Sequence, residues 1–197
     1  MKNRGLFLLV FGFFFGCKEL PVPKPKIFLN LNYPEAVYEK LDTEYPFKFD
    51  KNKLAITQSI NSSDEGLTLV NLNYSLLNAK VYLTHYSTKD KLSKYISEFE
   101  FGMQNHAKVA HEISEQEFEN AEAAVFGNYY EITGPVASQS QFYVTDSIHH
   151  FLAAALYFEV KPNYDSILPA VRYIQKDMVR MLAVSYTHLT LPTIFRV

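Results

Sequence analysis

His150-Phe151-Leu152-Ala153-Ala154-Ala155-Leu156-Tyr157-Phe158 is a nearly continuous apolar run. A half-buried strand alternates apolar and polar residues, so a run apolar on both parities reads as a strand covered on both faces. Its alanines would let helices approach closely. A buried helix is the alternative reading. Asp146-Ser147 before the run and Lys161-Pro162-Asn163 after it favour a strand between loops.

Working outward, the preceding stretch carries the same signal. Phe126, Asn128, Tyr130 and Ile132 alternate, Gly134-Pro135 turns the chain, and Phe142 and Val144 alternate with Gln141, Tyr143 and Thr145. Further upstream, Leu54, Ile56, Gln58 and Ile60 alternate, and Asn61 to Gly66 punctuates. Val70, Leu72 and Tyr74 then share one face. Val81 and Leu83 oppose Tyr82 and Thr84. Together these segments predict a β-meander.

Two stretches switch to helical spacing. Leu92, Tyr95, Ile96, Phe99 and Met103 form one stripe after Ser87 or Thr88 as N-cap, with Asp90 in the first turn and Gly102 weakening the far end. Ile167, Val171, Ile174, Met178 and Met181 or Leu182 form another, capped by Asp165 or Ser166, with Pro169 placed in the first turn. Strands, helix, strands, helix predicts an α+β fold, an α/β/α sandwich on a mainly antiparallel sheet. By analogy of layers alone it is comparable to the Mog1/PsbP-like architecture. Between residues 27 and 50, Tyr33-Pro34 and Tyr45-Pro46 limit regular structure, and Phe47 and Phe49 predict a short edge strand.

The ends read differently. Lys2 and Arg4 precede a ten-residue apolar run, Leu6 to Phe15, then Gly16 and the chain's single cysteine, Cys17. That is the layout of a secretory signal, and a small residue directly before cysteine resembles a bacterial lipobox. Phe14 and Phe15 depart from the usual residues there. A transmembrane helix or an ordinary signal with an incidental cysteine are the alternatives. A membrane span needs about 20 apolar residues. Residues 1–16 are therefore read as a lipoprotein signal peptide and Cys17 as the acylated residue.

Residues 17–26 hold the lipidated cysteine and a proline-rich spacer, Leu20-Pro21-Val22-Pro23-Lys24-Pro25-Lys26. In polyproline II at about 3.1 Å per residue it gives roughly 20 Å of clearance from a membrane. Residues 27–183 form the globular domain. Residues 184–197 break the helical pattern, and Val184 to Thr193 match a reading frame of a transposon end used in sequencing libraries. They are read as a non-native tail, a scar with no place in the fold and no role for His188.

Composition narrows the chemistry. The chain has 19 basic and 21 acidic residues, and loss of the leader removes Lys2 and Arg4. An acidic mature protein lacks the basic face that nucleic acid requires. With Cys17 spent on lipid, no thiol remains for a disulfide, a zinc site or a nucleophile. His149-His150, read as strand neighbours, face opposite ways, and His106 and His111 are five apart rather than four, so no metal site is expected. Ser138, Ser140 and Ser147 lack a G-x-S-x-G elbow. Gly127 and Gly134 form no phosphate loop. Glu115, Glu117 and Glu119 suit a solvated edge better than acid–base catalysis. Asp146-Ser147-Ile148 and Asp165-Ser166-Ile167 resemble O-glycan acceptors, with a turn and a helix cap as the plainer readings. The tyrosines could bind sugar faces, or serve as core and cross-strand pairs. No catalytic residue and no cofactor are expected.

Several stretches, in order and spacing, resemble the GldD family of gliding-motility lipoproteins. These are Pro21 to Lys26, Tyr33-Pro34-Glu35, Tyr45-Pro46-Phe47-Lys48-Phe49 and Gln141-Phe142-Tyr143-Val144-Thr145-Asp146-Ser147. They continue through His150-Phe151-Leu152, Ala155-Leu156-Tyr157-Phe158 and Pro162-Asn163-Tyr164-Asp165-Ser166-Ile167-Leu168-Pro169. The resemblance implies a palmitate-type lipid on Cys17 and a membrane-anchored envelope protein facing the periplasm. It implies a non-enzymatic role in gliding and the associated type IX secretion, with other envelope proteins of that machinery as partners. A lipid-anchored module binding a small ligand or glycan is the alternative.

Overall fold

The computed structural model describes residues 33–41, 45–88, 91–120, 125–159 and 164–185. The leader, Cys17, the spacer and residues 186–197 lie outside the described residues.

Nine strands and two long helices are described. They run β1 (Tyr38–Lys40), β2 (Asp50–Asn52), β3 (Ile56–Ile60), β4 (Leu67–Tyr74) and β5 (Ala79–Ser87), then α1 (Leu92–Ala107). After it come β6 (Glu112–Asn120), β7 (Val125–Thr133), β8 (Ser138–Thr145), β9 (His150–Phe158) and α2 (Tyr164–Ser185). β1 and β2 pair as a small hairpin, and the other seven form one sheet in the order β3-β4-β5-β9-β8-β7-β6. Each pairing in that sheet is antiparallel.

The topology explains the opening sequence. β3-β4-β5 is one meander and β6-β7-β8-β9 another, and α1 carries the chain between them to the far edge. The second meander returns so that β9 seats itself against β5 in the middle of the sheet. β9 is covered by α2 along one face and by α1 over its first residues on the other, which accounts for apolar residues on both parities.

Each face has its own core. On one, α2 lays Ile174, Met178, Met181 and Leu182 over Val70, Leu72, Val81, Leu83, Phe142, Val144, Leu152 and Leu156. On the other, α1 sets Leu92, Tyr95, Ile96, Phe99 and Met103 against Tyr130, Ile132, Tyr143 and Phe151. Each large apolar side chain withdrawn from water contributes about 1.5–3 kcal/mol. One helix on each face of an antiparallel sheet is the α+β arrangement the periodicity predicts.

The structure departs from the sequence reading in several places. Phe47 and Phe49 precede β2 rather than forming a strand. Both are buried beside α2, stacked at 6.0 Å between ring centroids. The polar segment of β6 is a full strand at the sheet edge. The Lys91 N-cap makes no side-chain cap bond. Thr88 instead donates through Oγ1 to the Ile148 carbonyl and through its N–H to the His149 carbonyl, which ties β5 to the β8–β9 loop. α2 begins at Tyr164, so Pro169 sits inside the helix and not in its first turn. It continues through Ser185, two residues into the segment read as a tail.

Candidate functional site

α1 is short relative to the sheet it covers. On its face it packs on Tyr86 at the end of β5 and on Phe151 of β9, and beyond its reach a cleft of about 510 Å³ opens over the rest of β5 and β9. Lys80, Tyr82 and Thr84 of β5, Ala153, Ala155 and Tyr157 of β9, and Gln141 of β8 line it, with Phe99 of α1 as a wall.

Register accounts for the hollow. Tyr82, Ala155 and Gln141 are successive cross-strand neighbours, so a single methyl lies between a phenol and an amide. Thr84 and Tyr143 flank Ala153 in the adjoining row. Tyr82 and Tyr157 meet edge to face, centroids 5.5 Å apart at 81°. At the rim Lys80 pairs with Glu159, so the described residues lining the cleft carry no net charge. Ala155 therefore floors an opening, where the sequence reading used the alanines to admit a helix.

Gln141 is held by α1. Its amide meets His106 Nε2 at 3.0 Å, and burial pushes the His106 pKa down, so a neutral ring accepts the amide N–H. His111 instead lies in the turn before β6, its N–H bonded to the Thr133 carbonyl.

The adjacent histidines separate as well. His149 is exposed, near Asp146. His150 turns its Nδ1 to His85 Nε2 at 3.0 Å. His85 is 2 % exposed, packed against Phe47, and its Nδ1 has no partner. A proton on Nδ1 would be a buried, unpaired donor, so the cheaper tautomer donates from Nε2 to His150. No group of three His, Cys, Asp or Glu able to hold a metal occurs among the described residues.

Burial, then the neighbouring His150, lowers the His85 pKa to about 4. The unfolded chain binds this proton near the ordinary 6.5. Stability carried by neutral His85 is therefore complete above that value and is lost as pH falls from about 6.5 to 4, by up to about 3 kcal/mol. Urea unfolding across this range should show the acid slope, and His85→Leu should flatten it. An unchanged slope in a folded variant would contradict this assignment.

Asp146 serves the β8–β9 turn. Its Oδ1 accepts N–H bonds from Ile148, His149 and His150 at 2.7–3.0 Å. Burial alone would raise its pKa, but these bonds outweigh burial and hold it low. Ser147 takes the left-handed conformation at φ 66°. Asp165 lies in the first turn of α2. Ser138 and Ser140 are buried; Ser140 Oγ donates to Tyr129 Oη, and Ser138 Oγ to the Ser140 carbonyl. Glu115, Glu117 and Glu119 stand exposed on edge strand β6, where like charges discourage pairing with another sheet. Glu115 accepts from the Tyr130 hydroxyl at 2.8 Å.

Sequence reasoning missed one polar centre. Asp177 on α2 is 1 % exposed and accepts from Tyr38 Oη at 2.6 Å, Asn52 Nδ2 at 2.9 Å and Tyr74 Oη at 3.1 Å. Arg180 lies over the Tyr38 ring at 4.2 Å and pairs with Asp50. The signal was present, since Asp177 falls three residues after Ile174 on the apolar stripe.

A family model described as gliding motility lipoprotein GldD matches residues 18–185 of this chain. The matched span contains every element described above, and Cys17 stands one residue outside it. No curated protein matches the chain.

Proposed function

Since this chain belongs to the GldD family of gliding motility lipoproteins, we propose that it is a non-enzymatic accessory or assembly component of the gliding apparatus. A lipid on Cys17 holds it in the envelope after removal of residues 1–16, with the domain on the periplasmic side. It contributes to the associated secretion machinery by contact with other envelope proteins. No helix among the described residues is long and apolar enough to cross a membrane, which agrees with anchoring by lipid.

The family match carries this reading. The polar chemistry of the domain is in keeping with it, because several groups that could carry chemistry hold the fold together instead. Asp177 ties α2 to the β1–β2 hairpin and β4, Asp146 closes a turn, His85 and His150 bond each other, and Ser140 bonds Tyr129.

Crosslinking in living cells followed by affinity recovery of the full-length protein tests the proposal. The expected result is a reproducible set of envelope proteins, lost when gliding components are deleted. Recovery of no protein partner, from cells in which this protein is membrane-bound and spreading is normal, would overturn it.

A further inference from the structure

We propose that the cleft between β5, β9 and α1 binds a neutral sugar ring of a glycan. The sugar stacks its C–H face on Tyr82 or Tyr157 and engages Thr84 and Gln141 with its hydroxyls.

The cleft decides the ligand class by what it offers and what it withholds. Its volume of about 510 Å³ falls inside the range of roughly 300–1,000 Å³ of small-ligand sites. β5 is paired with β4 and β9, and β9 with β5 and β8, so the main-chain donors and acceptors of the floor are spent on the ladder. A peptide cannot add here as a strand. Recognition must come from side chains.

Those side chains are aromatic faces, a hydroxyl, an amide and phenol groups. Among the described residues, the one cation and one anion at the rim neutralise each other. A charged ligand gains nothing from such a site. An acyl chain would strip water from Thr84, Gln141, Lys80 and Glu159 without replacing their hydrogen bonds, which is unfavourable. A pyranose has an apolar C–H face and a belt of hydroxyls, matching an aromatic wall beside polar groups. The perpendicular tyrosines sharpen the match, since a ring flat on one meets the edge of the other. Tyr82 is 38 % exposed and supplies an open face. Ala155 supplies the depth, and His106 presets the Gln141 amide from α1.

The test presents the full-length protein, in detergent, to an array of neutral oligosaccharides built on glucose, mannose, galactose and N-acetylglucosamine. A polyproline decapeptide and oleate-containing vesicles serve as competing classes. Affinities are compared for wild type, Tyr82→Ala and Ala155→Leu. The leucine fills the floor without removing any group, so it keeps the test valid should the tyrosine variant fail to fold. The proposal expects at least one neutral oligosaccharide to bind, and to bind about tenfold or more weakly to Ala155→Leu at an unchanged melting temperature. Failure of every sugar to bind the folded protein would overturn it. So would equal binding by wild type and Ala155→Leu, or occupation of the cleft by the polyproline peptide or by oleate instead.

Discussion

Gly127→Ala should lower the stability of the domain by about 3 kcal/mol, the upper end of the range for overpacking, against the usual direction of this exchange. In a strand interior alanine ordinarily gains about 0.5–1 kcal/mol over glycine. Here the added carbon would stand 2.1 Å from the Tyr143 carbonyl oxygen, 2.9 Å from Val144 Cγ1 and 3.0 Å from Val144 Cα. Two of these atoms are backbone of the neighbouring strand and cannot rotate away. β7 and β8 would have to part at the pair Gly127–Val144, opening the ladder where Val144 enters the core against α2. Domains are stable by only about 5–15 kcal/mol in total, so the loss is a large share. Urea denaturation of the two proteins measures it. A midpoint equal to or above wild type would contradict the close approach of these strands.

Asp177→Ala should cost about 3 kcal/mol or more, since a buried donor left without its acceptor costs about 1–3 kcal/mol and three lose theirs here. The alanine leaves Tyr38, Asn52 and Tyr74 without their shared acceptor in a dry environment. Asp177→Asn keeps one acceptor oxygen and should cost less. Burial raises the Asp177 pKa, with the bonds from Tyr38, Asn52 and Tyr74 opposing it. The folded state therefore holds this proton to a higher pH than the unfolded chain. The corresponding stability is complete in acid and is lost as pH rises through the raised value. The advantage of wild type over Asp177→Asn should accordingly be greatest in acid and shrink toward neutrality, opposite in sign to the His85 effect. A difference that grows with pH would mean the site prefers the carboxylate.

Much of this architecture was legible because burial writes itself into periodicity. Val70, Leu72 and Tyr74, and both helix stripes, lie where their spacing puts them, since each packs against a flat layer. β6 was illegible as a strand for the converse reason. An edge strand with its faces largely in water carries Glu115, Gln116, Glu117 and Glu119, residues equally at home in a loop. Phe47 and Phe49 alternate as strand residues do, yet they stand just before β2, held by ring stacking and, at Phe49, by the Leu41 N–H on its carbonyl.

The candidate site was half legible. The sequence places Tyr82 and Thr84 on the face away from Val81 and Leu83, and it raises tyrosines as surfaces for sugars. That Tyr157 and Gln141 stand beside them depends on β9 inserting between β5 and β8, a non-local pairing with no local signature. Asp177 was hidden by its company, because a carboxylate within an apolar stripe becomes informative only once its three donors converge from other elements.

The central claim is that a lipid-anchored domain serves gliding from the membrane and not by chemistry in solution. It is tested most directly by restoring a deletion strain with either wild type or Cys17→Ala and measuring colony spreading beside membrane fractionation. The account predicts that wild type restores spreading from the membrane fraction. It predicts that Cys17→Ala, folded and present at equal level, leaves that fraction or keeps its leader and restores spreading poorly. Full spreading with the Cys17→Ala domain free of the membrane would contradict the account.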